Sequence, residues 1–258
     1  MATTPDGGAP LAPATAALLA AYRAELLRWN RQVNLLSRRD PEGTADTLVR
    51  QCVAAFARWW DASGAGLAGP ASALRVFDLG SGGGLPAFVW LALLAERGVA
   101  VRATLVEPRR KRAWFLERLR QLPGAPPYEV AAAVWGPQAG VLVAGDAGGA
   151  AHFVAPILFT IKALRLSEGE VLGPLPAALG DAGLAAGSRV EIVRFQPAEG
   201  VTAAGLAREL AIPAVGTTSR WGGGAFQAED CRFLAPAPGE AADGGGAGLL
   251  VSRHLVVP

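Results

Sequence analysis

The stretch VFDLGSGGGLP, Val76 to Pro86, runs an apolar strand into an acid and then into four glycines within five residues. Glycines packed so closely after a strand let backbone approach a ligand, and their spacing decides which ligand. A nucleotide-hydrolase phosphate loop needs Lys-Ser or Lys-Thr after its glycines, and Leu85-Pro86 stands there instead. A dinucleotide fingerprint needs glycines at its first, third and sixth positions. Counted from Gly80, the third is Gly82 but the sixth is Leu85. What fits is Asp-x-Gly-x-Gly-x-Gly, made by Asp78, Gly80, Gly82 and Gly84 with Ser81 inside it. Glu107 ends the next strand-like run, TLVE, where a carboxylate can accept hydrogen bonds from ribose hydroxyls. Taken alone, Glu107 also reads as a solvated strand-end acid. After the glycine loop it points to a nucleoside-containing cofactor, and the absent sixth glycine favours S-adenosylmethionine (SAM) over NAD.

The elements that must position these residues follow from periodicity. Leu18, Leu19, Tyr22, Leu26, Trp29 and Val33 recur at helical spacing, and a second helix is expected from about Thr44 to Trp60. From Leu74 strands and helices alternate: LRVFDLG, then PAFVWLALLAERG with Pro86 suited to a first turn, VRATLVE, and RRKRAWFLERLRQL. The apolar runs GVLVAGDAG and PILFTIKAL, a helix-like GEVLGPLPAAL and the strand SRVEIVRF come next. CRFLAP and GLLVSRHLVVP are expected to pair as an antiparallel hairpin, and 61–73 and 236–248 read as Ala/Gly/Pro-rich loops. Alternation of this kind predicts an α/β fold with a mainly parallel sheet and a ligand beyond the strands' carboxyl ends. A helical cap over 1–65 precedes a cofactor domain over 66–258.

Composition sets the outer limits. With 258 residues, 51% hydrophobic and 18% charged, the chain has ample material for a core. Its net charge of +2 neither demands nor excludes a nucleic-acid partner. Cys52 and Cys231 are too few and too far apart for a disulfide framework or a zinc site, so no metal is expected. His152 and His254, the only histidines, leave little for a histidine-based triad. No apolar run reaches the ~18 residues of a membrane span. With no secretion signal legible in MATTPDGGAPLAP, a cytoplasmic protein is expected.

Three stretches together carry a resemblance. WNRQVNLLS (Trp29 to Ser37), DLGSGGGLP and TLVEPRRKRAWFLERL resemble, in order and spacing, the bacterial family of 16S ribosomal RNA guanine-N7 methyltransferases, also called the glucose-inhibited division protein B family. That family reads roughly W-N-x-x-x-N-L, then D-x-G-S-G-x-G-[FL]-P, then an acid followed by K-[KR]-x-x-F-L. The resemblance implies a Rossmann-like class I SAM-dependent methyltransferase fold, with SAM held by Asp78, Gly80, Ser81, Gly82, Gly84, Leu85 and Glu107. It also shows departures. The family's His-x-x-Asp-Ser in the second helix is QCVAA here, and its Arg-Ala-Glu falls on or near Asp146-Ala147-Gly148. That alignment leaves Asp146 and Ala147 for the adenine edge, with an ordinary loop aspartate as the alternative. Lys162 replaces a cofactor-proximal arginine, keeping the charge but losing the planar fork, and is the candidate catalytic residue. A lysine-glycine after the fifth strand becomes Arg194-Phe195.

The implied reaction does not need what the chain lacks. Guanine N7 carries an in-plane lone pair and no proton at neutral pH, so attack on a sulfonium methyl requires no general base. Alignment is the main task, and proximity can contribute ~7–11 kcal/mol. For the implied partner, 16S rRNA or the small ribosomal subunit, the candidate contacts are Arg31, Arg38, Arg109, Arg110, Lys111, Arg112 and Arg194. The basic clusters read equally as solvated helix faces. Trp114 and Phe115 are expected in the core, and the chain is expected to be a monomer. A diverged relative acting on another RNA or a small molecule, or a non-catalytic SAM-binding ribosome-associated factor, would carry the same cofactor motifs.

Overall fold

The computed structural model describes residues 10–64, 73–136, 156–162, 164–179, 184–197, 202–236 and 247–258. Two helices open it. Helix α1 (Pro13–Asn30) starts on a proline and buries Leu18, Leu19, Tyr22 and Leu26 on one stripe. Helix α2 (Pro41–Trp59) is capped by Asp40, whose carboxylate accepts from the Gly43 amide at 3.0 Å, and it buries Cys52, Ala55, Phe56 and Trp59. The next residues, Trp60–Gly64, continue as a π-turn where a loop was expected.

The sheet elements are β1 (Leu74–Leu79), β2 (Val101–Val106), β3 (Glu129–Ala131), β4 (Ile157–Ile161), β5 (Arg189–Pro197), β6 (Thr218–Trp221), β7 (Gly224–Leu234) and β8 (Ala247–Val257). Their order is β3-β2-β1-β4-β5-β8-β7-β6. The first five are parallel, while β8 runs antiparallel to β5 and pairs with β7 as the expected hairpin. Between strands lie α3 (Ala87–Glu96), α4 (Arg110–Leu119), α5 (Glu168–Leu172), α6 (Leu175–Leu179) and α7 (Ala203–Glu209). The fold is thus the expected α/β class, a mainly parallel sheet ending in an antiparallel hairpin beneath an N-terminal helical pair. The chain reverses its direction of sheet growth between β1 and β4, where such sheets open a crevice at the strands' carboxyl ends.

Strand alternation divides the interior into two cores. Leu74, Val76, Leu158, Val193 and Phe195 face α1 to α4, whereas Phe77, Leu79, Phe159, Ile161 and Ile192 face α5 and α6. Every residue of α3 from Ala87 to Leu94 is buried, because the helix is sandwiched between the sheet and the N-terminal pair. Its Trp90 stacks on Trp59 with centroids 5.0 Å apart and donates Nε1–H to the Cys52 carbonyl at 3.0 Å. The N-terminal helices and the sheet therefore share one core. Among the described residues no helix is long and apolar enough to cross a membrane, and no metal-ligand cluster occurs.

Candidate functional site

The glycine loop sits at the carboxyl end of β1, at the edge of the β1/β4 crevice. Gly80, Gly82 and Gly84 adopt φ of +73°, +55° and +86°, a region that side-chain-bearing residues rarely enter. At Gly80 an added Cβ would also lie 2.5 Å from Cδ1 of the exposed Leu164, which would have to move aside. The amides of Gly80 and Ser81 donate to the Val106 carbonyl, which pins the loop to β2. Buried Ser81 donates its hydroxyl to the Asp78 carbonyl at 3.0 Å. Leu85 is buried beneath the loop in the core, and the Leu85–Pro86 peptide before α3 is cis.

Glu107 is buried and uses each carboxylate oxygen once. Oε2 accepts from the Gly82 amide at 2.8 Å, and Oε1 from the Arg109 amide at 2.9 Å. It is a brace for the loop rather than a solvated strand-end acid, and each oxygen keeps a lone pair for a further donor.

Asp78 is also buried, on the face shared with α1 to α3. Its register partner across β1/β4 is Thr160, whose hydroxyl donates to Oδ1 at 2.6 Å. Oδ2 has no hydrogen-bond partner among the described residues. Burial, with the negative charge of Glu107 added, outweighs the Thr160 hydroxyl and raises the Asp78 pKa to about 6. A buried acceptor without a donor, beside backbone turned by glycines, is suited to a cationic amine. Thr160 is not among the residues expected from sequence, although a lone hydroxyl inside ILFTIKA marks a strand position with something polar to meet.

The N-terminal helix closes over this loop. Tyr22 donates its hydroxyl to the Gly83 carbonyl at 2.8 Å, and Leu26 and Leu35 pack where a Gly83 side chain would stand. Buried Asn30 explains the WN pair, because its Oδ1 accepts from the amides of Leu35 and Leu36 at 2.8 and 2.7 Å and turns the chain out of α1. Arg112 donates to the Asn34 carbonyl at 2.9 Å, tying this turn to α4.

Other candidates separate clearly. Lys162 follows β4 on the Asp78 face, its Nζ 5.2 Å over the Phe195 ring. Arg31, Arg38, Arg109, Arg110 and Lys111 are exposed. Arg194 corrects the expectation of an RNA contact. Alternation along β5 turns it to the opposite face from Lys162, where it is 1% exposed and donates to Glu168 Oε2 at 2.6 Å. Trp114 is a second correction, being 55% exposed while Phe115 is buried. Ala113, Phe115, Leu116 and Leu119 already fill the inward stripe of α4, which leaves Trp114 on the polar face with Glu117 and Arg118. Asp146 and Ala147 lie outside the described residues.

The family model described as rRNA small subunit methyltransferase G matches residues 15–130, the span from α1 through the glycine loop to β3. A Cupriavidus necator protein named ribosomal RNA small subunit methyltransferase G is 32% identical over 167 residues, 65% of this chain and 67% of that protein. A Symbiobacterium thermophilum protein of the same name is 34% identical over 113 residues, 42% of this chain and 39% of that protein. The solved structure of MtNAS in complex with MTA and tNA has a TM-score of 0.48 and 13% identity, covering 94% of this chain and 71% of that one. The chain thus spans two thirds of one relative's length and about two fifths of the other's. By the identity and reach of the Cupriavidus match, alongside the family model over residues 15–130, the chain belongs to the rRNA small subunit methyltransferase G family.

Proposed function

We propose that the chain transfers a methyl group from SAM to N7 of a guanine in small-subunit ribosomal RNA. The observation that carries the reading is the loop from Asp78 to Gly84, with an unpartnered buried carboxylate oxygen at its start and Glu107 braced against its middle. These residues fit SAM: Asp78 Oδ2 takes the amine, and the free lone pairs of Glu107 take the ribose hydroxyls. Asp146 and Ala147 are proposed at the adenine edge, and Lys162 on the substrate side of the cofactor. When bound, SAM supplies an electrophilic sulfonium methyl.

The protein's own work is then positional. Thr160 fixes the Asp78 carboxylate, Glu107 holds the Gly82 amide, and Tyr22 holds the Gly83 carbonyl, so the loop keeps its shape without the ligand. No side chain needs to remove a proton from guanine N7, which matches a site built from acceptors and backbone rather than from a nucleophile and base. The exposed cations Arg31, Arg38 and Arg109 to Lys111 provide the charge that RNA phosphates require.

The test is incorporation of tritiated methyl from SAM into small ribosomal subunits, followed by nucleoside mass spectrometry. Label recovered as 7-methylguanosine is expected. A chain that binds SAM yet labels no small-subunit RNA would overturn the proposal.

A further inference from the structure

We infer that the groove between the end of α1 and the start of α4 binds an unstacked nucleotide of single-stranded RNA, with Trp114 under the base and Arg110 and Lys111 on its phosphates. The inference rests on the RNA substrate proposed above and gives that substrate a place on the surface. The groove has a volume of about 390 Å³ and is lined by Trp29, Gln32, Val33, Arg110, Lys111 and Trp114. That lies within the usual size of small-ligand sites.

Three observations meet there. First, Trp114 is held yet open. It stands edge-on to Trp29, centroids 4.8 Å apart and planes at 77°, and an edge-on contact engages one face of a ring at most. Trp29 is itself anchored by its Nε1–H donating to Glu25 at 3.0 Å. An indole that is fixed in direction and more than half exposed is a stacking platform that loses little freedom on binding. Second, the cations nearest the groove differ from those further along α4. Arg118 lies 3.9 Å from Glu25 and Arg120 pairs with Glu117 at 2.7 Å, whereas Arg110 and Lys111 join no ion pair among the described residues. Nor do they stabilise their own helix: they occupy the first turn of α4, which carries no acid, and positive charge there opposes the helix dipole. Third, the groove abuts the cofactor loop. Arg112, one residue beyond Lys111, bonds to Asn34 and lies 3.9 Å from the point where a Cβ on Gly82 would stand.

The test uses the full chain and a short mixed-sequence single-stranded RNA, with affinity read by fluorescence anisotropy across a salt series. Trp114→Ala is expected to weaken RNA binding by about tenfold, the size of one lost base–aromatic stack, with Trp114→Phe recovering most of it. The salt slope should stay unchanged in both. Arg110→Ala/Lys111→Ala is expected to reduce that slope by about 1.4, two single-strand phosphate contacts. SAM affinity should be the same in every variant. Wild-type RNA affinity in Trp114→Ala overturns the inference while leaving the methyl-transfer assay to judge the substrate. So does a loss confined to intact small subunits, which would assign the face to a ribosomal protein. A wild-type chain that methylates no small-subunit RNA and binds no single-stranded RNA overturns both readings.

Discussion

Asp78 and Glu168 are both buried carboxylates, and the protein treats them in opposite ways. Glu168, at the start of α5, is closed on every side. Oε2 accepts from Arg194, and Oε1 lies 2.5 Å from both the Ser252 hydroxyl and His254 Nε2. Burial alone would raise its pKa, but the Arg194 charge, with His254 and Ser252, holds it below the ordinary carboxylate value. Asp78 has one hydroxyl and one open oxygen, and burial raises it to about 6. The Glu168 carboxylate is satisfied, although Arg194 Nε and His254 Nδ1 beside it have no hydrogen-bond partner among the described residues, whereas at Asp78 the carboxylate itself is left with an unpartnered oxygen.

The largest effect should come from breaking the closed cluster. Arg194→Ala leaves Glu168 buried without its counter-charge, and the expected loss is about 3–5 kcal/mol in urea unfolding. SAM affinity of the folded protein should not move, because the cluster lies across the sheet from the glycine loop. A fall in SAM affinity at constant stability would undo the distinction.

The next effect has the opposite sign. An unfolded Asp78 loses its proton near 3.8 while the folded one keeps it to about 6. The folded state therefore binds more protons in that window, and stability falls as pH rises from about 4 to 6, then levels off. Asp78→Asn should remove that slope and gain roughly 2–3 kcal/mol at pH 7. It should also weaken SAM, whose wild-type affinity is expected to rise between pH 5 and 7 as the carboxylate ionises. Glu168 contributes in the reverse direction: its stabilisation is present above the ordinary carboxylate range and is lost on acidification. Thermal melts and calorimetry over pH 2 to 8 would resolve the two.

Glu107→Ala should weaken SAM by about 1–3 kcal/mol, the usual loss for charge-assisted hydrogen bonds, measured by calorimetry. An unchanged dissociation constant would reduce Glu107 to a brace for Gly82. The smallest expected effect is at Lys162. Lys162→Arg should methylate as well as wild type, while Lys162→Ala should lower the methylation rate at nearly constant melting temperature. Normal turnover in Lys162→Ala would leave only its position over Phe195 to account for the lysine.

The open site was far more legible in the sequence than the closed one. Asp78, Gly80, Gly82 and Gly84 sit within seven residues, and the three glycines answer a local backbone demand that leaves a mark on residue type. Glu107 is one strand further on. Strand and helix alternation likewise gave the parallel sheet, because two-face burial writes itself into local apolar runs. Glu168, Arg194, Ser252 and His254 are brought together by β5 and β8 pairing across long stretches of chain, and no local period records that. Arg194 was misassigned for this reason, since a lone strand arginine reads as surface until its partner is seen. Trp114 was misassigned for a different one. Its neighbour Phe115 satisfies the helix's inward stripe, and a helical wheel placing Trp114 with Glu117 and Arg118 carries the signal.

The bond from Tyr22 to the Gly83 carbonyl joins residues 61 positions apart, and that separation matters while the chain is being made. At about 5–20 residues per second of synthesis, Leu18, Leu19, Tyr22 and Leu26 leave the ribosome some 3–12 seconds before the glycine loop that covers them. For that interval the buried positions of α1, Leu18, Leu19, Tyr22 and Leu26, lack the loop they pack against, and exposed apolar segments of this kind are what holdase chaperones bind. The helix that locks the glycine loop is therefore made before the loop it locks.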